Sequence, residues 1–323
     1  MKWSAVFPGQ GSQAVGMGRW LVQNFPIAQR TFHEASEALG FDLQKLCFES
    51  SDAELALTQN TQPALLCVST ATQRVLRETL SPTLSLTAGH SIGEYAALVL
   101  ADVIDFPTAM KAVRLRGEAM QAAVPVGLGG MVAVLGLQDE QITALCQWAE
   151  KASGQGPVQA ANFNCPGQVV LSGNLQALNY LRENFKPEVV PGEAKRVKFI
   201  PLNVSAPFHC SLMKPAEEKM AQFLKPVSFH KAQIPVVQNL TAEIVTDPST
   251  LKSNLVAQVS GAVRWTQSVH TAVNSEVTHF IECGHGTVLK GLIKKCDERA
   301  QVHSLQTLED LKILEGALKA SGH

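Results

Sequence analysis

Leu84-Ser85-Leu86-Thr87-Ala88 runs into Gly89-His90-Ser91-Ile92-Gly93, and Tyr95 to Leu100 follows as an apolar run rich in Ala and Leu. The five central residues read G-x-S-x-G. A short β-prone run, a sharp turn and a good helix former are the setting in which that pattern makes a nucleophile elbow. Glycine at both ends lets the backbone turn with no Cβ in the way. The serine then opens a helix, where backbone N–H groups and the positive end of the helix dipole face any charge that develops. The competing reading is a glycine-rich turn carrying a surface serine, and the flanking elements weigh against it.

Composition bounds the rest. At 323 residues, one large or two modest domains fit, and 46% hydrophobic against 17% charged residues supports a sizeable core. A net charge of −1 and a pI near 6.8 give no support to nucleic-acid or membrane-surface binding. The apolar N-terminal stretch is too short for a signal peptide, and no run of eighteen apolar residues suggests a membrane span. Seven scattered cysteines without a C-x-x-C pair suggest reduced thiols in a cytoplasmic protein. Nine histidines without an i, i+4 pair argue against zinc.

Taken in order, residues 3–7 read as a buried strand, followed by Phe7-Pro8-Gly9-Gln10-Gly11-Ser12-Gln13, which lacks the Gly-Lys-Ser/Thr of a Walker loop. Short helices are expected at 27–39 and 42–48, and a long one at 63–79 with Pro63 in its first turn. A helix at 107–123 carries Arg114 and Arg116, about 200° apart, so at most one can enter a pocket. After a glycine-rich joint at 126–130, a strand (131–136), helix (139–151), two strands (157–163, 167–171), helix (174–184) and strand (194–199) follow a ferredoxin-like order. Residues 162–168 are read as the turn of the central hairpin. Beyond it lie a helical run at 211–224, a strand at 234–237, a helix at 249–259 containing Gln258, a strand at 277–282, and helices at 287–295 and 307–319.

A serine elbow needs a base. His209, His90 and His285 are candidates by context, and the residues alone leave the choice open. The order Phe7-Pro8-Gly9-Gln10-Gly11-Ser12-Gln13, Gly89-His90-Ser91-Ile92-Gly93-Glu94-Tyr95, Arg116-Gly117, Pro166-Gly167-Gln168 and Pro207-Phe208-His209 resembles the malonyl-CoA:acyl-carrier-protein transacylases and the acyltransferase domains of polyketide synthases. The resemblance spans about residues 5–295. It implies an α/β-hydrolase-like large subdomain (1–126 and 201–323) with an inserted ferredoxin-like small subdomain (127–200), the active site lying between them. It also implies Ser91 as nucleophile, His209 as base, the backbone carbonyl of Gln258 as orienter of the imidazole, and the N–H groups of Gln10 and Ile92 as oxyanion hole. Arg116 would pair with the malonyl carboxylate, and Gln62, Asn162 and Asn239 fall where the family lines its pocket.

The implied chemistry is ping-pong transfer from malonyl-CoA, through an acyl-serine, to the phosphopantetheine thiol of an acyl carrier protein, with no metal or bound cofactor and no nucleic-acid or membrane partner. Phe208 before His209 resembles malonyl-specific members, and His285 stands where many fatty-acid members have proline, which leaves fatty-acid or polyketide synthesis open. The alternatives are a trans-acting polyketide acyltransferase of other selectivity, a serine acyl hydrolase, and a noncatalytic carrier-binding module.

Overall fold

The computed structural model describes residues 1–194 and 196–322; Lys195, inside the expected strand at 194–199, and His323 lie outside the described residues. Strand β1 (Lys2–Phe7) is buried from Trp3 to Phe7, because both of its faces are covered. Ala5 and Phe7 point into one core and Val6 into another, the period-2 alternation of a strand buried on two sides. Helices α1 (Arg19–Asn24), α2 (Pro26–Leu39), α3 (Leu43–Glu49), α4 (Asp52–Leu55) and α5 (Thr58–Thr79) follow, then β2 (Leu84–Gly89), α6 (Gly93–Leu100) and α7 (Phe106–Ala122). The small subdomain comprises β3 (Gly129–Leu135), α8 (Asp139–Ser153), β4 (Val158–Cys165), β5 (Gln168–Asn174), α9 (Leu175–Asn184) and β6 (Lys198–Pro201). The chain resumes with α10 (Lys214–Leu224), β7 (Val236–Val237), β8 (Ile244–Val245), α11 (Pro248–Ala257), α12 (Trp265–Asn274), β9 (Val277–Glu282), α13 (Val288–Cys296), β10 (Gln301–Ser304) and α14 (Leu308–Ala320).

The large sheet has the order β10-β9-β1-β2-β7-β8, parallel except for the last pair. On one face lie α5, α6 and α7 with Phe7 and Tyr95; on the other, α12 and α13 cover Val6, Leu86 and Phe280. Fully burying a phenylalanine such as Phe7 or Phe280 contributes about 1.5–3 kcal/mol. The small sheet is antiparallel, β4-β5-β3-β6, the order of the expected ferredoxin-like unit. Its alternation also serves two cores: Val132 and Val134 of β3 pack with α8 and α9, whereas Met131 and Ala133 face the large subdomain.

Four expectations need correction. Helix α5 starts at Thr58, so Pro63 sits beyond its first turn. A proline there leaves the carbonyl four residues earlier without its helical donor, and the Gln59 carbonyl is satisfied instead by Arg114 Nη1 at 3.0 Å. The hairpin turn is only Pro166-Gly167, between the paired Cys165 and Gln168, because Gly167 takes the left-handed conformation (φ 74°) while Asn162 to Asn164 stay in β4. Helix α11 ends at Ala257, which makes Gln258 its C-cap rather than an interior residue. Strand β6 begins at Lys198, and α12, β8 and β10 were not foreseen, the strands because they are two to four residues long.

Candidate active site

Adjacent parallel strands β1 and β2 deliver their C-terminal ends side by side, where ligands bind in open α/β sheets. Phe7 pairs with Gly89, and the His90 N–H donates to the Phe7 carbonyl at 2.9 Å. The chain then reverses through Ser91, held at φ 51°. The reversal is too tight for side chains at its ends. A Cβ on Gly89 would lie 1.9 Å from the Gly93 carbonyl carbon, and one on Gly93 would lie 2.2 Å from the Phe7 oxygen. Helix α6 therefore starts directly after the serine.

His209 arrives from the loop after β6, itself in a left-handed conformation (φ 60°), and its Nε2 lies 2.7 Å from Ser91 Oγ. Nδ1 faces two backbone carbonyls, Gln258 O at 2.9 Å and Gly261 O at 3.2 Å. Carbonyls only accept, so Nδ1 carries the proton and Nε2 presents its lone pair to the serine. The Gln258 carbonyl is available because the last carbonyls of a helix lack intrahelical donors, and Gln258 caps α11; that of Gly261 comes from the loop beyond. Burial, with the Arg116 charge beside it, pushes the His209 imidazole down to about 3, so it is neutral near pH 7.

Arg116, on α7, is 1% exposed. Its Nη1 donates to Gln62 Oε1 at 2.9 Å, and its Nη2 to Ser91 Oγ at 3.2 Å and Gln258 Oε1 at 3.0 Å. Nε is buried with no hydrogen-bond partner among the described residues. Every acceptor here is neutral, although burial disfavours the charged guanidinium. Arg114, on the other side of α7, pairs with Glu118 at 2.6 Å.

Gln10, Gln62, His90, Ser91, Ile92, Arg116, Asn162, Phe208 and His209 line one cavity with Met120, Met131, Leu202 and Val204. The backbone N–H groups of Gln10 and Ile92 donate to no acceptor among the described residues. His285 is not in this lining; its turn is braced by Gln306, which donates to Gly284 O and accepts from Gly286 N. His90 turns away from the serine, its Nε2 2.8 Å from Asn164 Oδ1. Cys210 also turns away, donating to the Pro207 carbonyl, with burial raising its thiol pKa.

Asn239 departs from expectation. It is fully buried behind the elbow and does not line the cavity: its Oδ1 accepts from Ser91 N at 2.7 Å and its Nδ2 donates to Gly89 O at 2.6 Å. Sequence reasoning passed over Glu94, 0% exposed, whose carboxylate accepts from Asn239 N, Gln238 Nε2 and Gln258 Nε2. A lone acid between the elbow and an apolar helix was the available signal. Among the described residues no group of three or more His, Cys, Asp or Glu could hold a metal, and no helix is long and apolar enough to cross a membrane.

An elbow serine, a neutral histidine beside it and a buried arginine on this two-subdomain α/β frame are the parts of a site that works through an acyl-serine. The chain belongs to the acyl transferase domain family, whose model matches residues 5–313. It is 42% identical over 316 residues to the malonyl CoA-acyl carrier protein transacylase of Bacillus subtilis (strain 168), covering 97% of this chain and 96% of the relative. The Staphylococcus aureus (strain MW2) protein of the same name is 42% identical over 311 residues, covering 96% of this chain and 97% of the relative. An acyl-carrier-protein S-malonyltransferase from Burkholderia pseudomallei 1710b superposes with a TM-score of 0.90 at 43% identity, covering 99% of this chain and 100% of that one. A malonyl-transacylase solved with its type II PKS acyl-carrier protein gives 0.91 at 40% identity, covering 98% and 100%.

Proposed function

We propose that this protein transfers a malonyl group from malonyl-CoA to the phosphopantetheine thiol of an acyl carrier protein through a malonyl-Ser91 ester. The observation that carries the reading is a half-buried serine oxygen shared between a neutral imidazole at 2.7 Å and a guanidinium at 3.2 Å. Ser91 Oγ attacks the thioester carbonyl as its proton passes to His209 Nε2. The resulting oxyanion is met by the Gln10 and Ile92 N–H groups, each contributing roughly 3–4 kcal/mol. Collapse breaks the C–S bond, and the imidazolium returns the proton to the departing CoA sulfur. In the second half-reaction the pantetheine thiol gives its proton to the same nitrogen and attacks the ester; collapse of this second oxyanion breaks the C–O bond to Ser91, and the imidazolium returns the proton to Ser91 Oγ. The Gln258 carbonyl orients the imidazole throughout.

Arg116 takes the malonyl carboxylate. Gln62 steers the guanidinium from the side opposite Ser91, Asn162 and Phe208 shape the wall, and Asn239 holds the elbow rather than the acyl group. The division into 1–126 with 201–323, and 127–200, is supported by the two separate sheets, with β6 reaching one residue past it to Pro201. The reading calls for no metal or bound cofactor and fits a cytoplasmic enzyme of fatty-acid or polyketide synthesis.

Intact-mass measurement after mixing with malonyl-, methylmalonyl- and acetyl-CoA tests it. A malonyl adduct that holo carrier protein discharges is expected. Adduct lost only to water would mean a hydrolase, and no adduct would overturn the reading.

A further inference from the structure

Gln258 meets the site twice. Its backbone carbonyl orients His209, while its side chain lies between two buried charges, Arg116 and Glu94. The amide oxygen accepts from Arg116 Nη2 at 3.0 Å. The amide nitrogen faces only acceptors: Glu94 Oε2 and the Ser91 carbonyl, both at 3.1 Å, and Asn239 Oδ1 at 3.4 Å. Turning the amide over would set donor against donor at the guanidinium and oxygen against oxygen at the carboxylate.

Burial pushes the Glu94 carboxyl up, and hydrogen bonds from three donors pull the other way, toward the carboxylate that the geometry favours. Oε1 accepts from Gln238 Nε2 at 3.0 Å, and Oε2 from Asn239 N at 2.7 Å and Gln258 Nε2 at 3.1 Å, so each partner is a donor and none could accept a carboxyl proton. Hydrogen bonds to a charged group are stronger than neutral ones, so this carboxylate sets the amide's direction. Arg116 thereby receives a counter-charge through one amide and keeps its own contacts neutral.

We propose that Glu94 is a positioning residue for acyl selectivity, acting through the Gln258 side chain to aim the Arg116 guanidinium at the substrate carboxylate. The inference rests on the malonyl-transfer reading above. Direct contact with an acid would compete with malonyl for the fork; a distant acid holding a neutral acceptor against the guanidinium fixes its plane and leaves that seat free. Glu94 touches neither the cavity nor the reacting atoms, so its effect falls on discrimination between acyl groups.

The experiment is a double-mutant cycle of Glu94→Gln and Gln258→Met, read as the malonyl-to-acetyl ratio of kcat/KM, with melting curves confirming folded protein. A merely structural defect lowers both rates and leaves the ratio. Glu94→Gln is expected to lower the ratio about tenfold, one pairwise coupling of ordinary size. In the Gln258→Met background, which lowers the ratio by itself, it should change little further. An unchanged ratio in folded Glu94→Gln, or effects that simply multiply, overturns the relay. If Glu94→Gln does not fold, Gln258→Met decides: a lowered ratio supports the relay and an unchanged one overturns it. A wild type with no malonyl preference, or an Arg116→Ala variant with the wild-type ratio, would instead count against the malonyl assignment.

Discussion

The two sheets meet at one cavity and hold it by different means. On the large-sheet side, position is over-determined. The elbow is pinned by backbone contacts too close for any Cβ at Gly89 or Gly93, and by Asn239 bonded to both Gly89 O and Ser91 N. On the small-sheet side, β4 is registered by its backbone: Phe163 N donates to Val263 O and Val263 N to Ala161 O. Met131 and Asn162 then face the cavity as wall. A bond-forming oxygen must be placed to a fraction of an ångström, whereas a wall needs only shape. Ser91 accordingly stands at the end of a parallel strand, His209 is held on its loop by the Gln258 and Gly261 carbonyls, and the inserted unit carries wall side chains.

Substitutions on the large-sheet side should break the comparison most strongly. Ser91→Ala is expected to abolish the acyl adduct and cut turnover by roughly 10⁶, with His209→Ala comparably damaging and the double variant little worse, as for groups acting as a unit. Intact mass and single-turnover kinetics read this out. Adduct surviving in Ser91→Ala and vanishing with Cys210→Ala would move the nucleophile, and equal damage from His285→Ala would move the base.

Next in size is Arg116→Ala. A guanidinium fork makes two charge-assisted hydrogen bonds to a carboxylate at roughly 1.5–3 kcal/mol apiece, so the malonyl-to-acetyl ratio should drop on the order of 10²–10⁴-fold. Arg116→Lys keeps the charge without the fork and should fall between. Arg114→Ala should leave the ratio alone, since that residue is engaged with Glu118 and the α5 backbone.

The wall side should answer more gently. Asn164→Ala strips the half-buried His90 Nε2 of its partner, the loss of one hydrogen bond at about 0.5–1.5 kcal/mol of stability. Transfer should slow less than tenfold, visible as a lowered melting temperature with the adduct intact. Loss of the adduct would mean that β4 positions the reacting atoms after all.

The smallest effect is one of pH. With His209 held near 3, kcat/KM should change little between pH 7 and 5, where a histidine of ordinary pKa would lose roughly 25-fold of its neutral form. The same burial works against stability in acid. The unfolded chain takes up this proton near pH 6.5 and the folded protein only near 3, so the contribution is full above 6.5 and drains away as pH falls between them. A melting temperature that rises from pH 7 to 4 would contradict the buried neutral imidazole.

Much of the site was legible because its motifs are local. The elbow needs its glycines within five residues, and the i, i+2 spacing of Arg114 and Arg116 already required one to face away; the structure buries Arg116 and exposes Arg114 in part. The order of elements in the small subdomain was legible for the same reason, although the bounds of its hairpin turn and of β6 were not. Less could be read where satisfaction comes from afar. Pro63 looked like a helix start because the arginine that caps Gln59 lies on another helix. Asn239 looked like pocket lining because a side chain bonded to both ends of a turn 150 residues away leaves no trace in spacing.

The sequence by itself determined the elbow, its serine and the order of elements in the small subdomain, which follow from local stereochemistry and residue type; His209 and Arg116 came from the resemblance of its motifs to a family, since the residues alone left three histidines open. Tertiary structure decided which nitrogen of His209 carries the proton, because the carbonyls facing Nδ1 come from the C-cap of α11 and the loop after it. It decided that the imidazole is neutral, because desolvation depends on everything packed around it. It also decided the direction of the Gln258 amide, which no propensity encodes, since only the placement of Glu94 on one side and Arg116 on the other makes the two ends of that amide different.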